Sequence, residues 1–199
     1  MLSLYHSPDS RSSRFIWLLE ELGVDYRLVY CSIPRRSGNG APDPSNPHPD
    51  KRVPALVHDG ALITESAAIA LYLTDLYPER RLGPSRGEPN RGVYLSWLAY
   101  YAGEIEPAFA AKLSGQTDSD PLAAKAYDRV IARVSSALKA DAFLLNDSFS
   151  AADVLVSSIF EWFRDAVPPY AELDDWLERL AARPAARRAL AKDARPSGG

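Results

Sequence analysis

The chain has 199 residues, 46% of them hydrophobic and 25% charged, the balance of a water-soluble globular protein with one large core or two small ones. Its 23 basic and 26 acidic residues leave a net charge of −3, which supplies no field to gather nucleic acid or an anionic membrane. The single cysteine, Cys31, excludes an internal disulfide and a CxxC redox pair, and His6, His48 and His58 are too scattered to read as a metal-ligand cluster.

The first strand reads from Leu2 to Tyr5, a short alternating stretch rich in β-formers. Four serines follow within seven positions: Ser7, Ser10, Ser12 and Ser13. They precede an apolar set at helical spacing, Phe15, Ile16, Leu18, Leu19 and Leu22, which Gly23 stops. One serine is enough to cap that helix, so the others raise the question of chemistry. "DYRLVY" reads as a second strand, and the strand–helix–strand order predicts a parallel pair with a right-handed crossover. "SIPRRSGNGAPDPSNPHPDKR" carries five of the chain's 16 prolines and no apolar periodicity, so it reads as irregular. "VPALVHDGALITES" then reads as two strands around an Asp59–Gly60 hairpin turn, and "ESAAIALYLTDLYP" as a helix closed by Pro78.

"ERRLGPSRGEP" is charged and holds two glycines and two prolines, which marks a linker. Beyond it strand signals vanish. "NRGVYLSWLAYYAGEIEPAFAAKL", "PLAAKAYDRVIARVSSALKA", "AADVLVSSIFEWFRDA" and "ELDDWLERLAARPAARRALAK" each read as a helix. The expected organisation is an α/β domain over 1–78, built βαβ then ββα, a linker over 79–87 and an all-helical domain over 88–199. The tail "KDARPSGG" is expected to fray. No apolar stretch approaches the roughly 18 residues of a membrane span. The N-terminus lacks the basic start and apolar core of a secretory signal, so a cytoplasmic location is expected.

Three motif matches fail on context. "GPSRG" has the G-x-S-x-G form of a hydrolase elbow, but no strand precedes it and no histidine follows His58. "GNG" lacks the third glycine of a dinucleotide loop, and "NDS" is a glycosylation pattern without a secretory route. "SFSAADV" is different: Ser150 with Asp153 three residues on has the form of a capping box, with Phe149 placed as a hydrophobic staple. It reads as a folding device.

"LYHSPDSRSSR", "HPDKRVPALVHDGALITESAAIALYL" and "FSAADV", in this order and with this layout, resemble the cytosolic glutathione S-transferase family over nearly the whole chain. The resemblance is to its serine-using, theta/phi-like, bacterial-type members. It implies a thioredoxin-like first domain that holds the tripeptide glutathione, as cosubstrate and without a metal or other cofactor. It further implies a detoxifying homodimer whose second substrate is a small hydrophobic electrophile. In such proteins the bond matching Val53–Pro54 is cis, and the main chain of Val53 pairs with the cysteinyl unit. The residues matching Glu65 and Ser66 grip the γ-glutamyl end at a helix N-terminus, whose N–H groups and dipole suit a carboxylate. "HPDKR" departs from the family's Asn-Pro-x-Gly-Lys: Lys51 stands at the glycine position and Arg52 at the lysine position, so either cation is placed to meet the glycyl carboxylate. His48, at the same edge, reads as an exposed loop histidine.

The family's catalytic hydroxyl lies five residues after the aromatic that ends strand one, with an arginine four further on. From Tyr5 this count gives Ser10 and Arg14. Counting by a cysteine-using branch gives Ser12 as the alternative, and the remaining serines read as capping and solvation. A free thiol has a pKa near 8.5, and lowering it to about 7 takes roughly 2 kcal/mol of anion stabilisation. A hydroxyl donating to a charged acceptor supplies ~1.5–3 kcal/mol, so a serine suffices without a general base. The resemblance sets the acceptor pocket between the domains, with Tyr101 as its candidate residue. Two other readings stay open: a related glutathione-dependent isomerase, dehalogenase or peroxide/disulfide reductase, and a non-enzymatic binding protein of the same fold.

Overall fold

In this computed structural model, which describes residues 1–35 and 37–194, the N-terminal alternation becomes strand β1 (Leu2–His6), with Leu2, Leu4 and His6 buried. β1 pairs in parallel with β2 (Tyr26–Tyr30) and antiparallel with β3 (Ala55–His58), which pairs antiparallel with β4 (Ala61–Ile63). The sheet order is β2-β1-β3-β4. Asp59 and Gly60, with φ of 48° and 87°, give the β3–β4 turn the left-handed geometry that a two-residue hairpin loop favours. Register matters most here: Tyr5 faces Ala55 and Leu56 faces Ile63. β1 and β4 therefore end, and β3 begins, at the same end of the sheet.

The chain divides into two compact units, Met1–Tyr72 with the chain from Arg183 onward, and Leu73–Ala182. In the first, α1 (Ser13–Leu22) buries Phe15, Ile16, Trp17, Leu18, Leu19 and Leu22, and Gly23 (φ 63°) closes it by donating its N–H to the Leu19 carbonyl. A second helix, which we label α9 (Pro184–Asp193), lies along α1. Arg183 grips Glu21 at 2.6 and 2.8 Å, while Arg188 and Lys192 reach Glu20 at 2.9 and 2.6 Å. Burial would raise the Glu20 carboxyl, but Lys192, Arg188 and the Tyr26 hydroxyl hold it below its ordinary value.

This division departs from the expected boundary, because "ELDDWLERLAARPAARRALAK" is two helices. The Pro184 ring crowds the residue before it, so Arg183 is extended (φ −63°, ψ 134°) and the helix restarts in a new direction. Of the tail expected to fray, Lys192 and Asp193 belong to α9, and 195–199 lie outside the described residues. The described part of 31–54 contains no helix or strand, as its prolines predict.

Helix α2 (Ser66–Leu76) is followed by a 3-10 turn at Pro78–Arg80. The second unit goes on through α3 (Arg91–Tyr100), a π-helical turn at Tyr101–Ile105, α4 (Glu106–Leu113), the short α5 (Gln116–Ser119), α6 (Pro121–Ala140), α7 (Ala151–Trp162) and α8 (Ala171–Ala181). The π turn sits just before Pro107, whose ring cannot tolerate a normal helical carbonyl four residues back. At the core Phe109 meets Tyr127 and Phe160 edge-on, with centroids 5.3 and 5.2 Å away, and Phe160 meets Trp176. The expected linker is tied down. The Leu82 carbonyl accepts from Ala151 N at 2.8 Å, and a Cβ at Gly83 would stand 3.1 Å from Thr74 and from the Tyr94 ring. A larger residue would need Thr74 or Tyr94 to give way by a few tenths of an ångström. Ser150 and Asp153 form both halves of a capping box, and Phe149 packs edge-on against Phe143. No helix among the described residues is long and apolar enough to cross a membrane.

Candidate active site

Three segments leave the same end of the sheet: the loop after β1, the approach to β3 and the turn from β4 into α2. Each contains a non-glycine residue in left-handed backbone, Asp9 (φ 51°), Lys51 (φ 53°) and Glu65 (φ 68°). Such residues cost stability and cluster where function demands a particular backbone path.

In the first loop, Ser10 is half-buried, and its one hydroxyl proton has two acceptors, the Ser7 carbonyl at 2.6 Å and the Ser12 hydroxyl at 2.7 Å. Its amide donates to Ser13 Oγ at 3.2 Å, and its carbonyl accepts from Ser13 N at 2.9 Å. Arg35 pins the loop from outside, donating to Ser7 Oγ (3.1 Å) and the Asp9 carbonyl (3.2 Å). Arg14, at the start of α1, is 2% exposed. Ser12 overturns the expectation of a capping role. It occupies the N-cap position of α1 but makes no side-chain cap bond. Its fully buried hydroxyl turns back instead, 2.8 Å from His6 Nδ1, and accepts from Ser7 N at 3.2 Å.

His6 fixes the direction of these bonds. Its Nε2 stands 2.9 Å from the Asp193 carbonyl and 3.6 Å from the Asp193 carboxylate. A carbonyl can only accept, so Nε2 carries the hydrogen, and in the neutral ring Nδ1 is bare. The Ser12 hydroxyl therefore donates to Nδ1. Burial pulls the imidazole below its ordinary pKa, against the Asp193 carbonyl and carboxylate, which raise it, so the ring is neutral at neutral pH.

On the approach to β3, Asn46 donates to the Arg52 carbonyl at 3.0 Å and accepts from His48 N at 3.0 Å. His48 is not the exposed loop residue expected. It is buried, with Nδ1 accepting from Asp50 N at 3.0 Å, because it closes this turn. Lys51 donates its ammonium to the Asn46 carbonyl at 2.7 Å, while the Arg52 side chain is exposed. The Val53–Pro54 bond is cis, and both residues are buried. At the third segment Ser66 opens α2, and the exposed Glu65 accepts from Ile69 N at 2.9 Å. Cys31 is buried behind β2, and burial pushes its thiol up to about 11, far from an activated thiolate. In the helical unit Tyr101 is 2% exposed and its hydroxyl donates to Glu106, so the ring belongs to that unit's interior.

Residues 4–81 match the glutathione S-transferase N-terminal domain, and residues 91–191 match the glutathione S-transferase C-terminal domain. The chain belongs to the glutathione S-transferase family. It is 26% identical to glutathione S-transferase GstA of Escherichia coli O157:H7, over 96% of this chain and 98% of that protein. It is also 26% identical to the disulfide-bond oxidoreductase YfcG of Escherichia coli K12, over 96% of this chain and 95% of the relative. Among solved structures, a sphingomonad glutathione S-transferase complexed with glutathione superposes with a TM-score of 0.81 at 26% identity, covering 96% of this chain and 98% of its own.

In this member of the family the expected Ser10, Lys51, Arg52, Val53, Pro54, Glu65 and Ser66 all lie on the three segments at one sheet end. His6, Arg35 and Asp193 were not singled out in the sequence. For His6 a signal existed: it continues the inward register of Leu2 and Leu4, and a polar residue at such a position needs partners. Arg35 and Asp193 carried none, being 26 and 187 residues from the groups they meet.

Proposed function

We propose that the protein is a glutathione transferase in which Ser10 stabilises the glutathione thiolate for attack on a hydrophobic electrophile. The observation that carries the reading is the register of β1, β3 and β4, which brings Ser10, Val53–Pro54 and Glu65–Ser66 to one end of the sheet. Val53 offers its main chain to the cysteinyl unit. Ser66 and the first turn of α2 take the γ-glutamyl carboxylate, and Glu65 accepts from its ammonium. Arg52 takes the glycyl carboxylate, since the Lys51 ammonium already serves Asn46. Glutathione is the cosubstrate, and no resident cofactor enters the chemistry. The electrophile side is left to residues other than Tyr101, whose ring is buried within its own unit and whose hydroxyl donates to Glu106. A cytoplasmic homodimer is part of the proposal, and sedimentation of the purified protein tests the dimer.

Calorimetric titration with glutathione and with S-methylglutathione, together with loss of thiol in the presence of an aromatic halide, tests the reading. Binding of both ligands and enzyme-dependent thiol consumption are expected; failure of either ligand to bind contradicts it. A second reading, reduction of disulfides through the same bound thiolate, is favoured by the likeness to YfcG. It is distinguished by formation of glutathione disulfide from a disulfide substrate.

A further inference from the structure

We infer that His6 is the terminal acceptor of the glutathione thiol proton, reached through Ser10 and Ser12. The inference rests on the reading of Ser10 as the thiolate's donor and deepens it. With neutral His6, the Ser12 proton goes to Nδ1 at 2.8 Å in preference to the Ser7 carbonyl at 3.4 Å, and the Ser10 proton is shared between Ser12 Oγ at 2.7 Å and the Ser7 carbonyl at 2.6 Å. If Ser10 turns its proton toward a thiolate while Ser12 still donates to Nδ1, the Ser7 carbonyl loses its donor at 2.6 Å and the two hydroxyl oxygens 2.7 Å apart have no hydrogen between them. That arrangement is repulsive.

One rearrangement restores a hydrogen between each pair of the chain, at the loss of the Ser10 bond to the Ser7 carbonyl. The thiol proton passes to Ser10 Oγ, the Ser10 proton to Ser12 Oγ and the Ser12 proton to His6 Nδ1. The S–H bond breaks, its electron pair stays on sulfur, and an N–H bond forms on the imidazole. Afterwards Nδ1–H donates to Ser12, Ser12 to Ser10 and Ser10 to the thiolate, so all three hydrogen bonds have reversed and each supports the next. Nε2–H keeps the Asp193 carbonyl, and Ser7 N keeps Ser12 Oγ. Among the described residues, the charged and titratable groups around the ring are Asp193 of α9, Asp9 of the β1–α1 loop, Arg35, the Tyr30 ring 5.4 Å away, and the neutral Cys31, whose N–H holds the His6 carbonyl. Burial is the largest influence and disfavours the imidazolium, as does Arg35; the Asp193 carbonyl and the two carboxylates favour it, and a thiolate formed with it adds a further negative charge. The thiolate and the protonated ring thus form together, and His6 acts as a proton-holding and positioning residue that does not touch substrate.

Imidazole nitrogen NMR of the wild-type protein reads this directly, alongside the ultraviolet thiolate absorbance. With glutathione, His6 should become imidazolium in step with the thiolate signal; with S-methylglutathione, which has no thiol proton, it should stay neutral. His6→Gln supplies a second readout, since its amide can accept from Ser12 and donate to Asp193 but cannot take a proton. It should raise the pKa of bound glutathione by about one unit, roughly ten-fold less thiolate at neutral pH, while S-methylglutathione still binds. A thiolate that forms while His6 stays neutral overturns the relay; if Ser10→Ala still shifts the thiolate curve, the function reading survives alone. A Ser10→Ala curve that does not shift removes both. If His6→Gln does not fold, the wild-type NMR decides.

Discussion

Ser12 shows how far one side chain's role depends on what lies behind it. Its position announces a helix cap, yet its hydroxyl donates to a buried histidine. Ser12→Ala leaves His6 Nδ1 and Ser7 N unsatisfied inside the fold. It should cost about 1–3 kcal/mol in urea unfolding, more than loss of an exposed cap alone, and an unchanged midpoint would argue that water replaces the hydroxyl freely. Ser66 belongs to the same scale but to binding. Ser66→Ala should weaken glutathione by ~1.5–3 kcal/mol in a titration if its bond is to a carboxylate; equal affinity would contradict the γ-glutamyl assignment. The resemblance pointed to Ser10, Val53–Pro54 and Glu65–Ser66, and what the fold adds is that they stand at one end of the sheet. His48 was misread because its burial comes from a turn closed by Asn46, which periodicity does not report.

At the scale of elements, the start of α7 carries the clearest energetic device. Asp153 is fully buried, and desolvation pushes its carboxyl up to about 6, against donors from Leu144 N, Ser150 N, Ser150 Oγ and Trp176 Nε1. A carboxyl raised above its unfolded value of about 3.9 stabilises the fold fully below that pH, and the contribution is lost as pH rises through about 6. Over some two units that amounts to about 3 kcal/mol. Asp153→Asn should abolish this slope in unfolding measured between those pH values, while destabilising the protein at pH 7 because Ser150 N then faces an amide donor. A mutant that keeps the slope would place its origin elsewhere. The sheet, its hairpin and the capping box were all legible from spacing alone. The π turn before Pro107 and the break at Arg183–Pro184 were not, because apolar periodicity runs through both prolines.

On the scale of the whole molecule, the C-terminal helix α9 is part of the α/β unit, and it brings the acceptor for His6 from the far end of the chain. Long-range partners of this kind have no local sequence signature. Glu20, held below its ordinary pKa by Lys192, Arg188 and Tyr26, contributes stability above the ordinary glutamate range that is lost as pH falls through its folded value. Glu20→Gln should therefore flatten the acid limb of the stability curve, with little added loss near pH 3; an unaltered acid limb would mean that α9 is held by packing alone. The central claim is that Ser10 stabilises a bound thiolate, and the ultraviolet thiolate absorbance of the glutathione complex, followed across pH in wild type and Ser10→Ala, tests it most directly. The account predicts that Ser10→Ala raises the pKa of bound glutathione by roughly one to two units, with binding at low pH nearly intact. Superimposable curves for the two proteins would contradict it.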